Sequence, residues 1–377
     1  MHNESRLLRR SRFFYNEIRK EREEGDTMKA HGVLAIAICL LLCLTGCADR
    51  EQIKTTSSGE SPPSGNTGLL DRADSQEEPD SFAPADQMAE PFTTSTSIQD
   101  VIDNSVFAGY GRLLFPVEDW YMSGSTLRDL QLTWYNNIDP EETVEIVNTL
   151  WQRANAGENV FYDIYTEEEK AEDPAKEDTG LFFFRGDPGA KFAVCNAGGG
   201  FAYVGAMQDS FPHALELSKR GYNAFALIYR PGAQTACEDL ARAISFIFEH
   251  AEELNVDTDC YSLWGGSAGG RMAAWLGSYG PAAFGGDELP QPGAVVMQYT
   301  GHSDYTENDP PTFACVGESD GIANWRTMQR RLDAMSALGI PTEFHHYPGL
   351  PHGFGLGAGT VAEGWLEEAV DFWKAQM

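Results

Sequence analysis

The sequence predicts an α/β fold with a mostly parallel central sheet and helices on both of its faces. From residue 191 onward, short apolar runs typical of buried strands alternate with amphipathic helical segments. Repeated units of this kind form parallel strands joined by crossover helices. Two β-rich runs at 160–165 and 181–184 precede them. These runs predict an antiparallel strand pair at the N-terminal edge of the sheet.

The elements follow in a regular order after a mixed stretch at 98–124 that accommodates one short helix. A helix begins at Pro140, because proline suits the first turn and Glu141 and Glu142 favour the positive end of the helix dipole. Strands are predicted at 192–195, 224–229, 260–264, 293–299, 312–316 and 342–347. Helices are predicted at 140–156, 209–220, 238–254, 269–276, 323–338 and 361–374. The charged stretch 166–179 is expected to be a solvated connection.

The N-terminal residues carry the features of an export signal. Met28 and a lysine precede an apolar run that is too short for a stable transmembrane helix, and Leu-Thr-Gly-Cys follows it. This motif resembles a bacterial lipobox, which predicts a lipoprotein signal peptide at 28–46 and lipidation at Cys47. The alternative is an ordinary signal peptide with an incidental cysteine. We interpret residues 1–27 as a non-native extension, because signal peptides normally begin close to their initiator.

The residues after the signal divide into a tether and a folded domain. Residues 47–97 are rich in small, polar and acidic side chains with few apolar ones, which predicts a disordered tether. Residues 98–377 are then one α/β domain, and 98–155 form a wrapping segment that is a candidate lid. The expected location is extracytoplasmic, with the N-terminal lipid on a bacterial membrane as the only membrane contact.

The charge of the chain limits its partners. The formal net charge is −30 at pH 7. Nucleic acids and anionic lipid surfaces require basic patches, so we expect neither as a partner. The cysteines of the domain show no C-x-x-C spacing, and no metal site is predicted. No feature of the sequence indicates an oligomeric state.

A glycine-rich turn with one serine is the strongest functional signal. Gly265, Ser267 and Gly269 form the pattern G-x-S-x-G between a predicted strand and a predicted helix. Small residues let such a turn lift the serine hydroxyl clear of the sheet. The backbone N–H groups of the following helix point at the same place. The pattern therefore predicts a nucleophilic serine at 267.

A serine needs a base and an acid, and both follow predicted strands. Asp320 comes after the strand at 312–316 and His352 after the strand at 342–347, so their loops meet Ser267 at one edge of the sheet. The chain order is serine, aspartate, histidine. We prefer Asp320 because Gly321 suits a tight turn, while Asp304 and Glu318 remain alternatives. The other histidines are expected to be structural, except for one loop histidine, His302, that can line the pocket.

An oxyanion hole is predicted before the serine. The run Gly198-Gly199-Gly200 follows the strand at 192–195, where bare backbone can approach a developing negative oxygen. We expect Gly199, Gly200 and Ala268 to supply the donors, because Ala268 directly follows the nucleophile.

Together these motifs resemble the esterase/lipase branch of the α/β-hydrolase superfamily, near the hormone-sensitive-lipase-like and acetyl-xylan-esterase-like proteins. The resemblance is carried by residues 198–201, 265–270 and 351–354 and covers about 155–377. Ala197 stands where those enzymes often have histidine, which puts in doubt only the support of the glycine loop. The resemblance implies hydrolysis of carboxylic esters through an acyl-enzyme, without metal or cofactor.

The expected substrate is a small-molecule or carbohydrate ester with a short acyl group, and acetyl esters of carbohydrates fit an exported enzyme. One alternative is a prolyl-peptidase-like serine hydrolase, although the segment before residue 160 is too short for the propeller of that class. Another is a surface-binding lipoprotein that has kept the fold and lost activity.

Overall fold

The computed structural model describes residues 91–135 and 138–377. The predictions for 1–27 and 28–46, the lipidation at Cys47 and the tether up to residue 90 lie outside the described residues. Within the described part, no helix is long and apolar enough to cross a membrane.

The first described segment packs onto the domain instead of ending at its boundary. Phe92, which the sequence places in the tether, is 4% exposed and lies against the ring of Phe107. Its backbone N–H and carbonyl both bond to the side chain of Asn148. The packed part of the chain therefore includes residues before 98. The elements of the wrapping segment are α1 (Ile98–Ile102), β1 (Met122–Ser123), β2 (Gln131–Leu132) and α2 (Pro140–Asn155).

The main sheet has eight strands. They are β3 (Phe161–Tyr162), β4 (Gly180–Phe184), β5 (Lys191–Asn196), β6 (Asn223–Ile228), β7 (Asp257–Gly266), β8 (Ala294–Gln298), β9 (Thr312–Gly317) and β10 (Thr342–Tyr347). Their order is β10-β9-β8-β7-β5-β6-β4-β3. β3 pairs antiparallel with β4, and β4 antiparallel with β6, while β5 to β10 are parallel. The predicted parallel sheet with an antiparallel pair at its N-terminal edge is confirmed.

Helices cover the sheet, in which β4, β6, β8 and β9 are buried along their whole length. They are α3 (Glu167–Glu172), α4 (Ala206–Asp209), α5 (Phe211–Lys219), α6 (Ala233–Glu249), α7 (Ala251–Leu254), α8 (Ala268–Tyr279), α9 (Trp325–Ala337) and α10 (Trp365–Lys374). The helices form two groups: α6 packs with α8 in one group, and α2 packs with α5 in the other. Two faces are therefore covered, as a sheet of buried strands requires.

Three helix predictions and the solvated connection predicted at 166–179 need correction. The helix predicted at 238–254 begins earlier, at Ala233, and is interrupted at His250 between α6 and α7. The connection at 166–179 contains α3, which Thr166 and Glu169 start with a reciprocal capping box. The helix predicted at 209–220 is divided at Ser210 into α4 and α5. The last helix begins at Trp365 rather than at 361, because turns occupy the residues before it.

Candidate active site

Ser267 occupies a strained turn between β7 and α8. Its φ is +52°, a left-handed conformation that side chains rarely adopt, and such strain is typical of functional sites. The flanking glycines are required by close packing. A Cβ on Gly265 would lie 2.2 Å from the carbonyl carbon of Gly269, and a Cβ on Gly269 would lie 2.0 Å from the carbonyl oxygen of Asn196 in β5. The turn holds the serine at the carboxyl edge of the sheet.

Ser267, His352 and Asp320 form a hydrogen-bonded row. The Ser267 Oγ lies 3.1 Å from Nε2 of His352, and Nδ1 of His352 lies 2.7 Å from Oδ2 of Asp320. The Asp320 side chain is fully buried, and the His352 side chain is 9% exposed. A hydroxyl, an imidazole and a carboxylate thus occupy the relative positions that acyl transfer requires of a nucleophile, a base and an orienting group.

Asp320 is oriented by the backbone after it. Its Oδ1 accepts hydrogen bonds of 2.7 Å from the N–H groups of Ile322 and Ala323, which leaves Oδ2 for His352. Gly321 does not have a positive φ, and a Cβ there would meet nothing within 4 Å. The glycine that favoured Asp320 in the sequence is therefore not what the turn depends on.

The alternative acids have other partners. The Asp304 carboxylate accepts a hydrogen bond from the Tyr279 hydroxyl at 2.5 Å, and Glu318 pairs with His346 at 2.6 Å. His302, expected to line the pocket, is 4% exposed and packs edge-on against Trp275.

The glycine loop lies beside the nucleophile. A Cβ on Gly198 would be 2.8 Å from Cβ of Ser267, so this loop forms one wall of the site. Gly199 and Gly200 have φ values of +121° and +62°. Among the described residues, neither of their N–H groups has an acceptor, and the Ala268 N–H is the first of α8. The three predicted donors thus belong to the two backbone segments that border Ser267.

Support for the loop comes from residues that the sequence did not single out. The Tyr229 hydroxyl donates to the Ala197 carbonyl at 2.7 Å. Ala197 stands where the enzymes that the motifs resemble often have histidine, and here its backbone carbonyl makes the supporting contact. The carboxylate of Asp209, which is fully buried, accepts from the Gly198 N–H at 2.8 Å and from the Tyr135 hydroxyl at 2.6 Å. Tyr299 donates to the other oxygen of Asp209. No local pattern marks these residues, because their partners are remote in the chain.

In the part of the chain that the structure describes, no group of three or more His, Cys, Asp or Glu side chains could hold a metal ion.

Three features decide the fold: the strand order, the antiparallel pairing of β4 with β6, and the serine directly after β7. It is the α/β-hydrolase fold. Residues 187–286 match the family model described as BD-FAE, a region that includes the glycine loop and Ser267 and ends before Asp320. No significant match to a curated protein accompanies it.

Similar solved structures are α/β-hydrolase proteins and esterases. An acetyl ester-xyloside bifunctional hydrolase from Caldicellulosiruptor lactoaceticus is 20% identical and has a TM-score of 0.49, with 57% of this chain and 95% of that chain covered. Esterase Est2 of the planctomycete Thermogutta terrifontis is 22% identical with a TM-score of 0.44, covering 51% and 85%. MGS-M1, from a Medee basin deep-sea metagenome library, is 21% identical with a TM-score of 0.45, covering 52% and 92%.

Proposed function

We propose that this α/β-hydrolase cleaves carboxylic esters through an acyl-enzyme on Ser267. The observation that carries the proposal is the hydrogen-bonded row of Ser267, His352 and Asp320. His352 Nε2 takes the hydroxyl proton as Ser267 Oγ attacks the ester carbonyl, and Asp320 stabilises the imidazolium that forms. The bond to the alcohol then breaks, and the same proton passes to the leaving oxygen. Water attacks the acyl-enzyme with His352 again as base, which releases the carboxylic acid.

The developing oxyanion is stabilised by backbone donors. The N–H groups of Gly199, Gly200 and Ala268 belong to the two backbone segments that border Ser267. Donors held in place before reaction need no reorganisation, and loss of one such donor in an enzyme costs about 100- to 1,000-fold in rate.

The substrate class that we propose is a short acyl ester, including acetyl esters of carbohydrates. An aromatic surface adjoins the glycine loop: the ring of Trp134 lies against Gly200 and is tilted against Tyr203, which stacks on Tyr121 at 4.7 Å. Trp134 is 50% exposed and Trp120 is 72% exposed. Flat, rigid aromatic faces bind apolar ring surfaces at low entropic cost, and the C–H faces of sugar rings are such surfaces.

A fluorophosphonate probe tests the proposal. Its phosphorus is attacked by an activated serine with loss of fluoride, so we expect stoichiometric labelling of the wild-type protein at Ser267. Ser267→Ala should not be labelled. Ser336→Ala, an exposed serine on α9, is the matched control and should be labelled like the wild type. A folded wild-type protein that takes no label would contradict the proposal.

The probe and a comparison of substrates together separate the two alternatives. A surface-binding lipoprotein without activity would not react with the probe. A prolyl-peptidase-like hydrolase would also react with the probe, but it would hydrolyse proline peptides and leave acetylated sugars largely intact.

We also propose that Cys47 carries a lipid that holds the enzyme on the outer face of a bacterial membrane. The support is the sequence alone, in which Leu-Thr-Gly-Cys follows a short apolar run. In cells that express the full chain and are fed a labelled fatty acid, the wild-type protein should incorporate the label and Cys47→Ser should not. A wild-type protein that incorporates no label would refute lipidation.

A further inference from the structure

A buried carboxylate lies directly beneath the site and takes no part in the row of Ser267, His352 and Asp320. Asp209 ends α4, and none of it is exposed. An isolated buried charge is costly, so its partners are informative. Its Oδ2 accepts from the Gly198 N–H and the Tyr135 hydroxyl, and its Oδ1 accepts from the Tyr299 hydroxyl. Burial raises the pKa of Asp209, and the hydrogen bonds from Tyr135, Tyr299 and the Gly198 N–H oppose that shift because they favour the carboxylate.

Asp209 contacts both backbone segments that border the oxyanion site. A Cβ on Gly198 would lie 2.7 Å from Asp209 Oδ2, and a Cβ on Gly266 would lie 2.7 Å from the same atom. Gly198 directly precedes the predicted donors Gly199 and Gly200, and Gly266 precedes Ser267 and the donor Ala268. One carboxylate oxygen therefore fixes the spacing between the two donor segments.

The two tyrosines extend this contact to the histidine loop and the N-terminal segment. The Tyr299 ring lies 4.9 Å from the His352 ring. Tyr135 is 3% exposed, and a Cβ on Gly353 would lie 2.7 Å from its ring. Burial, together with the charge of Asp209, raises the pKa of each tyrosine well above its ordinary value, so both phenols keep their protons and donate.

We infer that Asp209 is a positioning residue that sets the oxyanion site: it binds the Gly198 N–H, so that the N–H groups after it face the reacting carbonyl, and it holds Gly198 against the turn before Ser267. The inference rests on the proposed ester hydrolysis for its catalytic consequence. The Tyr135 contact makes the N-terminal segment a fixed part of the site.

The first test is Asp209→Asn. The amide keeps the shape, but it has one acceptor oxygen where the carboxylate has two, so one of the three donors faces an NH₂ group. Because oxyanion stabilisation acts in the transition state, we expect kcat for nitrophenyl acetate to fall about 30- to 100-fold, with KM within about threefold. Asp309→Asn is the matched control: Asp309 is a buried carboxylate whose partners are Arg331 and Thr306. It should lose stability and keep kcat.

A second measurement does not depend on activity. Hydrogen exchange of the resting protein should be faster at 197–205 in Asp209→Asn than in the wild type and unchanged at 294–298. If the wild type proves inactive on esters, the proposed function fails, and this exchange result alone decides whether Asp209 holds the loop. The inference is overturned if Asp209→Asn exchanges at 197–205 at the wild-type rate, or if the folded variant has the wild-type kcat.

A third variant covers the case in which Asp209→Asn does not fold. Tyr135→Phe keeps the ring and removes one donor, and we expect kcat to fall about three- to tenfold at constant KM, by the loss of part of the oxyanion geometry. Tyr261→Phe removes the hydroxyl of another buried tyrosine, which bonds to the Pro290 carbonyl, and should leave kcat unchanged. Equal kcat values for both tyrosine variants would overturn the inference.

Discussion

At the scale of single residues, the site depends on how each reactive side chain is held. Ser267 is held by a strained backbone, and Asp320 by two N–H groups of its own turn. His352 lies between them, with one ring nitrogen on each. In the proposed mechanism, Asp320 fixes the tautomer of His352 and stabilises the imidazolium.

Asp320→Asn tests this role. The amide fits the same space but stabilises the wrong tautomer of His352, so we expect kcat to fall about 10⁴-fold while the thermal midpoint changes little. Ester hydrolysis and thermal unfolding of the purified variants give both values. Asp304→Asn is the control and should retain activity, because Asp304 bonds to Tyr279. Loss of activity in the control alone would show that the acid is assigned to the wrong residue.

The hydrogen-bonded row could be predicted from the sequence because each of its three residues follows a strand, and strand ends can be read from local patterns. Asp209 could not, since its partners Tyr135 and Tyr299 are 74 and 90 residues away. In the sequence it looks like the first residue of a helix. A buried network of this kind depends on tertiary contacts that no local pattern records.

At the scale of elements, β5, β7 and α8 pack so closely at the site that only glycine fits between their backbones. The strands and most helices were predictable from apolar runs and their boundaries. The order of the strands was not, because alternation along the chain does not say which strands pair. Helix α3 was missed although Thr166 and Glu169 have the capping-box spacing, since the charges around them suggested a solvated loop.

Gly269→Ala tests the close packing of α8 against β5. Its new methyl group would lie 2.0 Å from the Asn196 carbonyl oxygen, so α8 and β5 must move apart. We expect the free energy of unfolding, measured in urea, to fall by about 3 kcal/mol, with loss of activity. Gly301→Ala is the control, because its nearest contact is 3.7 Å away, and it should stay within about 0.5 kcal/mol of the wild type. Equal stability of the two variants would contradict the packing described for the turn.

At the scale of the whole molecule, the sheet buries ionisable groups that link stability to pH. His213 on α5 is 1% exposed and packs edge-on against Trp365. Burial lowers its pKa to about 3, although a hydrogen bond with the Gly355 backbone opposes part of the shift. The folded protein therefore keeps His213 neutral where the unfolded chain binds a proton, near pH 6.5 and below.

This histidine should make the protein sensitive to acid. A lowered folded-state pKa contributes stability that is present above pH 6.5 and is lost as the pH falls towards 3. The difference of one bound proton corresponds to about 1.4 kcal/mol per pH unit. Between pH 6.5 and pH 5, the free energy of unfolding in urea should fall by about 1.6 kcal/mol less in His213→Gln than in the wild type. Parallel losses in the two proteins would exclude His213 as a cause.

The acyl group proposed on Ser267 can be trapped directly. The wild-type protein is mixed with a short acyl nitrophenyl ester, denatured in acid during turnover and digested. We expect peptide mass spectrometry to find one acyl group on the peptide containing Ser267 and none in Ser267→Ala. Acylation of another residue in a protein that hydrolyses the ester, or acylation that persists in Ser267→Ala, would contradict the proposal.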